Sequence, residues 1–410
     1  MNWLDELLKS TEESEAPERY FWWSGLAAIS AIARKNIWLD RHFYRLYPNI
    51  YVALISAKSG ARKGIPISIC KRLLQEANLS RIISGCNSIQ GVIQELGQQK
   101  TLDNGTVIGE AHGIMLSDEF DSFLTDDPKS LTYLTTLYNT HEHEKGWTKT
   151  LKNSAPVTLK APCLTMLVAS NEMLFDSVVK RKDVEGGFIG RTVLVRESKS
   201  RRRNSLVHAP KARMNVPELA IRLVQISKIQ GEFKWTTEAG VLYDEWYQGL
   251  DIDDTDDRTG TINRLGDQVL KVAMLLSLSR KDDLNLERED VELSIEKCEE
   301  CAGTAVRITP SNESSNGDRP NAMKLVIETI IRSTGLKITK ASMLSKLQRC
   351  QLHTKDVDRE IYDLLNMGWV DRHMIPGNDN INLRTIYTLT SEGCLQFGIA
   401  EKKVVKKHVN

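Results

Sequence analysis

Short apolar runs alternate with longer helical stretches over the first half of the chain. Four runs are almost continuously apolar: Ile50–Ser56, Gly113–Ser117, Leu164–Ser170 and Thr192–Arg196. Runs of this length are typical of strands buried on both faces, and the intervals between them are long enough for crossover helices. The pattern therefore predicts a parallel sheet in an α/β core.

Helical periodicity marks the segments on either side of these runs. Tyr20–Arg34 is an apolar helix, and Pro217–Ile229, Leu265–Ser279 and Val291–Val306 carry apolar residues at helical spacing. The last three predict a small helical lid. Cys298 falls on the apolar side of the last helix, which favours a buried core thiol over a zinc ligand.

The pattern changes after a linker of turn-forming residues, Ser311–Pro320. Three helices and a hairpin follow: Ala322–Ser333, Lys340–Leu347, a helix from Thr354 to Gly368, then Trp369–Ile375 and Leu383–Leu389. This order predicts a winged-helix domain, a fold that often docks on DNA. The third helix mixes Lys355 and Arg359 with several acidic residues, so protein contact is as good an interpretation as DNA binding. Better candidates for DNA contact lie in the hairpin: Arg372, His373 and Arg384.

Length and composition narrow the class of protein. A chain of 410 residues with 41% hydrophobic and 27% charged residues is expected to form more than one soluble domain. The net charge of +1 means that any nucleic acid must be held by local patches. No apolar run reaches the roughly 20 residues needed to cross a bilayer. The acidic amino terminus does not resemble a signal peptide, and seven scattered cysteines suit a reducing cytosol.

One segment after the first strand has some features of a phosphate-binding loop: Ala57, Lys58, Ser59, Gly60, Ala61, Arg62, Lys63 and Gly64. Such a loop needs small residues, a lysine and a helix N-terminus behind them. Against the pattern GxxxxGK[ST], Ala57 and Arg62 replace the glycines, and Gly64 replaces the hydroxyl that binds Mg²⁺. Only Lys63 is in place. Taken alone, the segment is equally well interpreted as a solvated basic turn.

Polar residues beside the later strands strengthen this interpretation. Asp118 and Glu119 follow the second apolar run, Asn171 follows the third, and Arg191 precedes the fourth. In a P-loop ATPase the first carboxylate binds Mg²⁺ and the second orients the attacking water. An acidic pair at a solvated turn is the alternative for Asp118 and Glu119 alone. The combination, in this order, is the strongest signal in the chain.

From about Tyr20 to Leu278 the chain resembles the P-loop helicase domain of phage and mobile-element primase–helicases, an AAA+-like ATPase family. Four stretches carry the resemblance: FWWSGLAAISAIARK, YPNIYVALISAKSGARKG, IMLSDEF and GWTKTLKNSAPVTLKAPCLTMLVASNE. The missing hydroxyl at Gly64 departs from the pattern, with Ser59 as an alternative source of that oxygen.

The resemblance implies ATP and Mg²⁺ as cofactors and assigns a role to each site residue. Lys63 would contact the phosphates, Asp118 the Mg²⁺ ion and Glu119 the water, with Asn171 as the sensor. Arg191 would act as an arginine finger in a neighbouring subunit. Such a finger requires a homo-oligomer, most often a hexamer in similar proteins. Arg264 is a candidate second sensor, for which an ordinary surface arginine is an equal alternative.

The segment before the third apolar run carries the expected DNA contacts: Lys145, Trp147, Lys149 and Lys152. In ring helicases a hairpin at this place points into the central channel, where lysines follow the phosphates of single-stranded DNA and an aromatic ring stacks on a base. The alternative is a surface hairpin whose tryptophan packs underneath.

Together with the resemblance, these observations predict an ATP-dependent DNA helicase or translocase. It would serve the replication of a phage or mobile element in the cytoplasm of a bacterial host. Its expected parts are residues 1–45 as a helical segment, 46–200 as the ATPase core, 201–318 as linker and lid, and 319–410 as winged helix and basic tail. The segment before the P-loop is too short for a primase, so a separate primase or loader is an expected partner. Two alternatives remain: an AAA+ loader or remodeller, and a non-enzymatic winged-helix DNA-binding protein with a degraded P-loop.

Overall fold

The structure is a computed structural model. It describes residues 2–56, 61–85, 88–101, 105, 107–120, 123, 130–140, 146–149, 156–171, 187–197, 200–203, 214–250, 260–308, 322–333, 336–348, 354–366, 368–376 and 383–396. The chain forms two compact units, unit 1 from Met1 to Pro310 and unit 2 from Ser311 to Asn410. Within the described residues, no helix is long and apolar enough to cross a membrane.

Unit 1 contains α1 (Trp3–Ser10), α2 (Glu18–Ala33), β1 (Ile37–Asp40), β2 (Arg45–Leu46), β3 (Tyr51–Ser56), α3 (Gly64–Ala77), β4 (Ile82–Ser84), α4 (Ile89–Gly97), β5 (Lys100–Thr101), β6 (Val107–Ile108), β7 (His112–Ser117), α5 (Ser130–Tyr138), β8 (Trp147–Lys149), β9 (Val157–Leu159), β10 (Cys163–Asn171), β11 (Thr192–Arg196), α6 (Val216–Ile226), β12 (Gly231–Trp235), α7 (Thr237–Gln248), α8 (Ile262–Arg280), β13 (Asn285–Leu286) and α9 (Arg288–Ile308). A 3-10 turn, Ile189–Arg191, precedes β11.

A five-stranded sheet in the order β11-β3-β10-β7-β4 forms the centre of unit 1, and all its neighbouring strands are parallel. The four apolar runs of the sequence form four of these strands, so the prediction of an α/β core with a parallel sheet is confirmed. The fifth strand, β4, is a three-residue edge strand that the apolar pattern does not reveal.

Helices cover both faces of this sheet. Side chains alternate along β3: Val52 and Leu54 join one hydrophobic cluster, whereas Ala53 and Ile55 join another. The first cluster includes residues of α2, α3, α6 and α8, and the second includes residues of α4 and α5. Because both faces are dry, β3 is buried along its whole length, which explains its unbroken apolar sequence.

The helices predicted for a lid contribute to the same core as the sheet. Residues of α6, α8 and α9 belong to the hydrophobic cluster that covers one sheet face, and Cys298 of α9 is buried there as expected. A second, four-stranded sheet in the order β13-β12-β1-β2 accompanies them and was not predicted. Its β1–β2 turn is fixed to α8 because the Tyr44 hydroxyl donates to both carboxylate oxygens of Asp267.

A buried cluster of basic side chains lies where β7 begins. Arg81 is fully buried, and its guanidinium donates to the backbone carbonyls of Leu96 (3.0 Å) and His112 (3.3 Å). His112 is also buried, and neither of its ring nitrogens has a hydrogen-bond partner among the described residues. Burial, followed by the positive charges of Arg34 and Arg81, lowers the pKa of His112 to about 3.

Unit 2 contains α10 (Ala322–Ile331), β14 (Lys337–Thr339), α11 (Lys340–Gln348), α12 (Thr354–Asn366), β15 (Val370–Pro376), β16 (Leu383–Leu389) and α13 (Ser391–Gln396). Its three strands form an antiparallel sheet in the order β14-β16-β15. The helices and the hairpin occur where the sequence predicts them. Thr339 caps α11 as expected, because its hydroxyl accepts a hydrogen bond from the Ser342 amide (3.2 Å).

Candidate functional site

The carboxyl ends of β3, β10 and β7 meet at one edge of the parallel sheet, which we call the carboxyl edge. Asn171, the last residue of β10, pairs with Ser56, the last residue of β3. Neighbouring strands lie about 4.8 Å apart, so β3 and β7 are about 10 Å apart on either side of β10. The carboxyl ends of β3, β10 and β7 therefore lie within about 10 Å of one another.

The strand order makes this edge a natural place for a ligand. The chain leaves β3 towards β4 at one side of the sheet and leaves β10 towards β11 at the other side. Neighbouring strands whose connections diverge in this way open a crevice at their carboxyl ends, and ligands of open α/β sheets bind there. The described part of the predicted loop, residues 61–64, comes shortly after β3 and before α3, on the carboxyl side of the sheet.

Residues 57–60 of the predicted loop lie outside the described residues. Of the remainder, Ala61 is buried, Lys63 is the N-cap residue of α3, and Gly64 begins that helix. The Lys63 side chain makes no capping hydrogen bond, and the first turn of α3 contains no acidic residue. The Ile65 amide donates to the Arg62 carbonyl (3.1 Å) and Pro66 has no N–H, so the Gly64 amide and the positive end of the helix dipole are the features suited to an anion.

Arg62 adopts a backbone conformation that is unusual for a residue with a side chain. Its φ is +52°, in the left-handed region, which costs a residue other than glycine about 1–2 kcal/mol. The Nε atom of Arg62 lies 2.6 Å from Oε2 of Glu15, in the segment between α1 and α2. No pattern in the sequence indicates this ion pair, because the two residues are far apart in the chain and belong to different segments.

Asp118 and Glu119 follow β7 and are both exposed, whereas the next residue, Phe120, is fully buried. The Phe120 ring stacks on Phe123 and Phe188, which anchors the chain just after the two carboxylates. An exposed carboxylate at this edge fits Mg²⁺, which usually binds one or two protein carboxylates together with phosphates and water. No larger set of His, Cys, Asp or Glu side chains able to bind a metal is found in the described part of the chain.

Arg191 lies at the opposite edge of the sheet, which we call the amino edge. Thr192 pairs with Tyr51, the first residue of β3, so Arg191 is level with the start of that strand. The six residues of β3 separate it from the carboxyl edge by about 17 Å. Its guanidinium donates to Asn139 Oδ1 (3.1 Å) and to the Gly187 carbonyl (2.9 Å). Arg191 therefore cannot contact a ligand held by Lys63 of the same chain.

Arg264 and the first turns of α8 also lie at the amino edge. Gln268 of α8 donates to the Gly190 carbonyl (2.9 Å), next to Arg191. The positive charges of Arg191 and Arg264 both act to lower the pKa of Tyr138, which burial raises. The sequence does not show that Arg264 lies at the amino edge. This position separates Arg264 from the loop that a second sensor in the same chain would have to reach.

Lys271, about one helical turn after Gln268 in α8, has a buried side-chain amine. Its Nζ atom donates to the carbonyl oxygen (3.0 Å) and to Oδ1 (2.9 Å) of Asn49, and it lies 3.8 Å from the centre of the Tyr138 ring. Burial lowers the pKa of this amine to about 7, although the negative charge of Asp267 acts in the opposite direction.

The predicted DNA hairpin is present as the antiparallel pair β8 and β9. The Trp147 ring is partly buried and meets the Tyr133 ring edge to face, with centroids 6.2 Å apart. This contact corresponds to the alternative in which the tryptophan packs beneath the hairpin. Lys149 lies in β8, whereas Lys145 and Lys152 lie outside the described residues.

Two acidic residues of α12, Asp358 and Glu360, are paired or buried. Asp358 of α12 pairs with Lys340 (2.7 Å), and Glu360 is buried, so these two acids do not form an open acidic face. In β15 Asp371, Arg372, His373 and Met374 are all exposed, so the hairpin carries an acidic side chain beside its basic ones. Of the residues predicted for DNA contact in unit 2, Arg372 and His373 are therefore accessible.

No protein-family model matches this chain, and neither does any curated protein. The geometry of the carboxyl edge therefore carries the functional proposal.

Proposed function

We propose that unit 1 is a P-loop ATPase of the AAA+-like class and that the chain is a replicative DNA helicase or translocase of a phage or mobile element. One observation carries the proposal: β10 ends in Asn171 between the strand that leads to Lys63 and the strand that ends before Asp118 and Glu119. A γ-phosphate sensor must lie beside both the phosphate loop and the acidic pair, and this strand order supports that role.

The side chains at the carboxyl edge suit phosphoryl transfer to water. Lys63 and the Gly64 amide would bind the β- and γ-phosphates, and Asp118 would hold the Mg²⁺ ion, which would neutralise part of the phosphate charge. Glu119 orients the attacking water and accepts its proton, while the Asn171 amide hydrogen-bonds the γ-phosphate or that water. Catalysis of this kind depends mainly on positioning and on electrostatic stabilisation of charge.

Arg191 and Arg264 enter this scheme through a second copy of the chain. Their position at the amino edge supports a role in the site of a neighbouring copy, whose carboxyl edge would face them. Such a contact is head to tail, since it joins two different surfaces, and it closes into a ring when the rotation between copies allows. The ring expected from the family resemblance is a hexamer.

Single-stranded DNA is the proposed substrate of the motor, and unit 2 is proposed to be a winged helix. The β8–β9 hairpin would track phosphates through its lysines, with Trp147 supporting the hairpin from below rather than stacking on a base. The exposed Arg372 and His373 suit a wing that contacts duplex DNA. The engagement of Trp147 with Tyr133 also favours the alternative of an AAA+ loader, which needs no aromatic wedge.

Steady-state ATPase rates with and without single-stranded DNA test the proposal. We expect DNA to stimulate the wild type, and we expect Lys63→Ala and Glu119→Gln to lower the rate by about 100-fold or more. Mixing Arg191→Ala subunits with wild type should lower activity more than in proportion if Arg191 acts in a neighbouring site. Absence of ATPase activity in the wild type, with DNA binding intact, would contradict both ATPase assignments. Robust ATPase without strand displacement would favour the loader.

A further inference from the structure

Arg62 takes the place of a glycine in the predicted phosphate loop. It stands directly before Lys63, where the pattern GxxxxGK[ST] has its second glycine. Glycine is favoured at such a position because it reaches positive φ without steric cost. Arg62 has a φ of +52°, so its backbone adopts a conformation typical of glycine although the residue is an arginine. Something outside the loop must favour this conformation.

Glu15 is the described residue that contacts the Arg62 side chain by an ion pair. Its carboxylate lies 2.6 Å from Arg62 Nε, and only 18% of the Glu15 side chain is exposed, against 56% for Arg62. The Glu15 backbone is itself fixed, because its carbonyl accepts a hydrogen bond from the Arg201 amide (2.8 Å). Arg201 also pairs with Glu18 (3.1 Å), which secures the same segment. Glu15 is therefore the fixed partner of this ion pair, and its carboxylate holds the more exposed Arg62 side chain.

We propose that Glu15 is a positioning residue of the nucleotide site, which holds Arg62 in the left-handed conformation and thereby replaces the missing glycine. With Arg62 held, Lys63 stays at the N-cap of α3 and the Gly64 amide would face the phosphates. The proposal rests on the proposed function, because it assigns the 61–64 segment to nucleotide. It makes a specific claim, since a glycine at position 62 should make Glu15 unnecessary.

The opposite arrangement is a carboxylate that competes with phosphate for the arginine. In that case Glu15 would inhibit the site, and removing its charge would tighten nucleotide binding. The sign of the effect of Glu15→Gln therefore separates the two arrangements.

The test is a double-mutant cycle on the full-length chain, with a fluorescent ATP analogue for binding and ATPase assays for KM and kcat. We expect Glu15→Gln to weaken analogue binding and raise KM about threefold to tenfold, and to leave kcat within about twofold, since the residues around the γ-phosphate are unchanged. Arg62→Gly should bind within about twofold of the wild type. Adding Glu15→Gln to Arg62→Gly should change nothing further.

Glu12→Gln is the matched control, because it removes a negative charge from the same segment at an exposed residue that forms no ion pair with the described residues. It should bind nucleotide like the wild type. Thermal melting of each variant establishes that it is folded. Rescue by Arg62→Gly is a result that a purely structural ion pair would not produce.

Three outcomes would overturn the inference: unchanged or tighter binding in Glu15→Gln, an equal loss in Glu12→Gln, or a loss in Arg62→Gly as severe as in Lys63→Ala. The last result would mean that the Arg62 charge itself contacts nucleotide. Failure of the proposed function looks different, because the wild type would then bind no analogue or Lys63→Ala would bind it normally.

Discussion

Replacing His112 by leucine should make unit 1 less sensitive to acid. The folded chain keeps this imidazole neutral, because burial and then the charges of Arg34 and Arg81 lower its pKa to about 3. In the unfolded chain it takes up a proton near pH 6.5. Since the unfolded state binds more protons between these two values, the free energy of unfolding falls as the pH drops below 6.5.

The size of the effect follows from the same two pKa values. At pH 5 the pH lies about 1.5 units below the unfolded pKa, and over this interval His112 is protonated in the unfolded chain but not in the folded one. At roughly 1.4 kcal/mol per unit, the free energy of unfolding falls by about 2 kcal/mol. A typical domain has only about 5–15 kcal/mol of stability. His112→Leu removes the titration and also two buried nitrogens without described partners, so we expect it to be about as stable as wild type at pH 8.

Urea unfolding at pH 8 and pH 5 measures the difference. Tryptophan fluorescence follows unit 1, because seven of the eight tryptophans belong to it. Between the two pH values the wild type should lose about 2 kcal/mol more than His112→Leu. His42→Leu, at the exposed β1–β2 turn, is the control and should lose as much as the wild type. Equal losses in wild type and His112→Leu would refute the reasoning.

Other substitutions test the packing, the buried amine and the loop. Gly113→Ala would place a methyl group 2.7 Å from the Arg81 carbonyl oxygen, so unit 1 should lose about 1–3 kcal/mol in the same urea assay. Gly109→Ala is its control, because no described atom lies within 4 Å of the added carbon. Lys271 has a folded pKa of about 7, so wild-type stability should rise with pH from 7 to about 10, and Lys271→Met should flatten this rise. Gly64 is equally open, so Gly64→Ser can supply the absent hydroxyl and should lower the Mg²⁺ concentration for half-maximal ATPase, unlike Gly64→Ala.

The sequence predicts the central strands well because burial on both faces leaves an unbroken apolar run, as in β3. It does not predict β4, since three residues at a sheet edge are too few for a pattern. The second sheet of unit 1 is also missed. Its strands β2 and β13 have two residues each, and β12 pairs with β1 and β13, which are distant from it in the chain.

For the candidate site, the sequence identifies the residues but only part of their arrangement. Asp118 follows one parallel strand and Asn171 ends another, so they share an edge, whereas Arg191 precedes its strand and must lie at the other edge. Whether a residue comes before or after its strand can be read from the sequence, and this order separates Arg191 from Asp118 and Asn171. The Glu15–Arg62 pair has no such signal, because arginine disfavours positive φ and its partner comes from another element.

The separation of Lys63 from Arg191 across one sheet has a genetic consequence. If each site takes its lysine from one copy and its arginine from the next, Lys63→Ala and Arg191→Ala damage different halves of the junction. A copy with Arg191→Ala still offers an intact lysine edge to a neighbour that carries Lys63→Ala and has an intact arginine. Two alleles that are each inactive alone would then restore part of the activity when expressed in one cell, and two alleles damaged at the same edge would not.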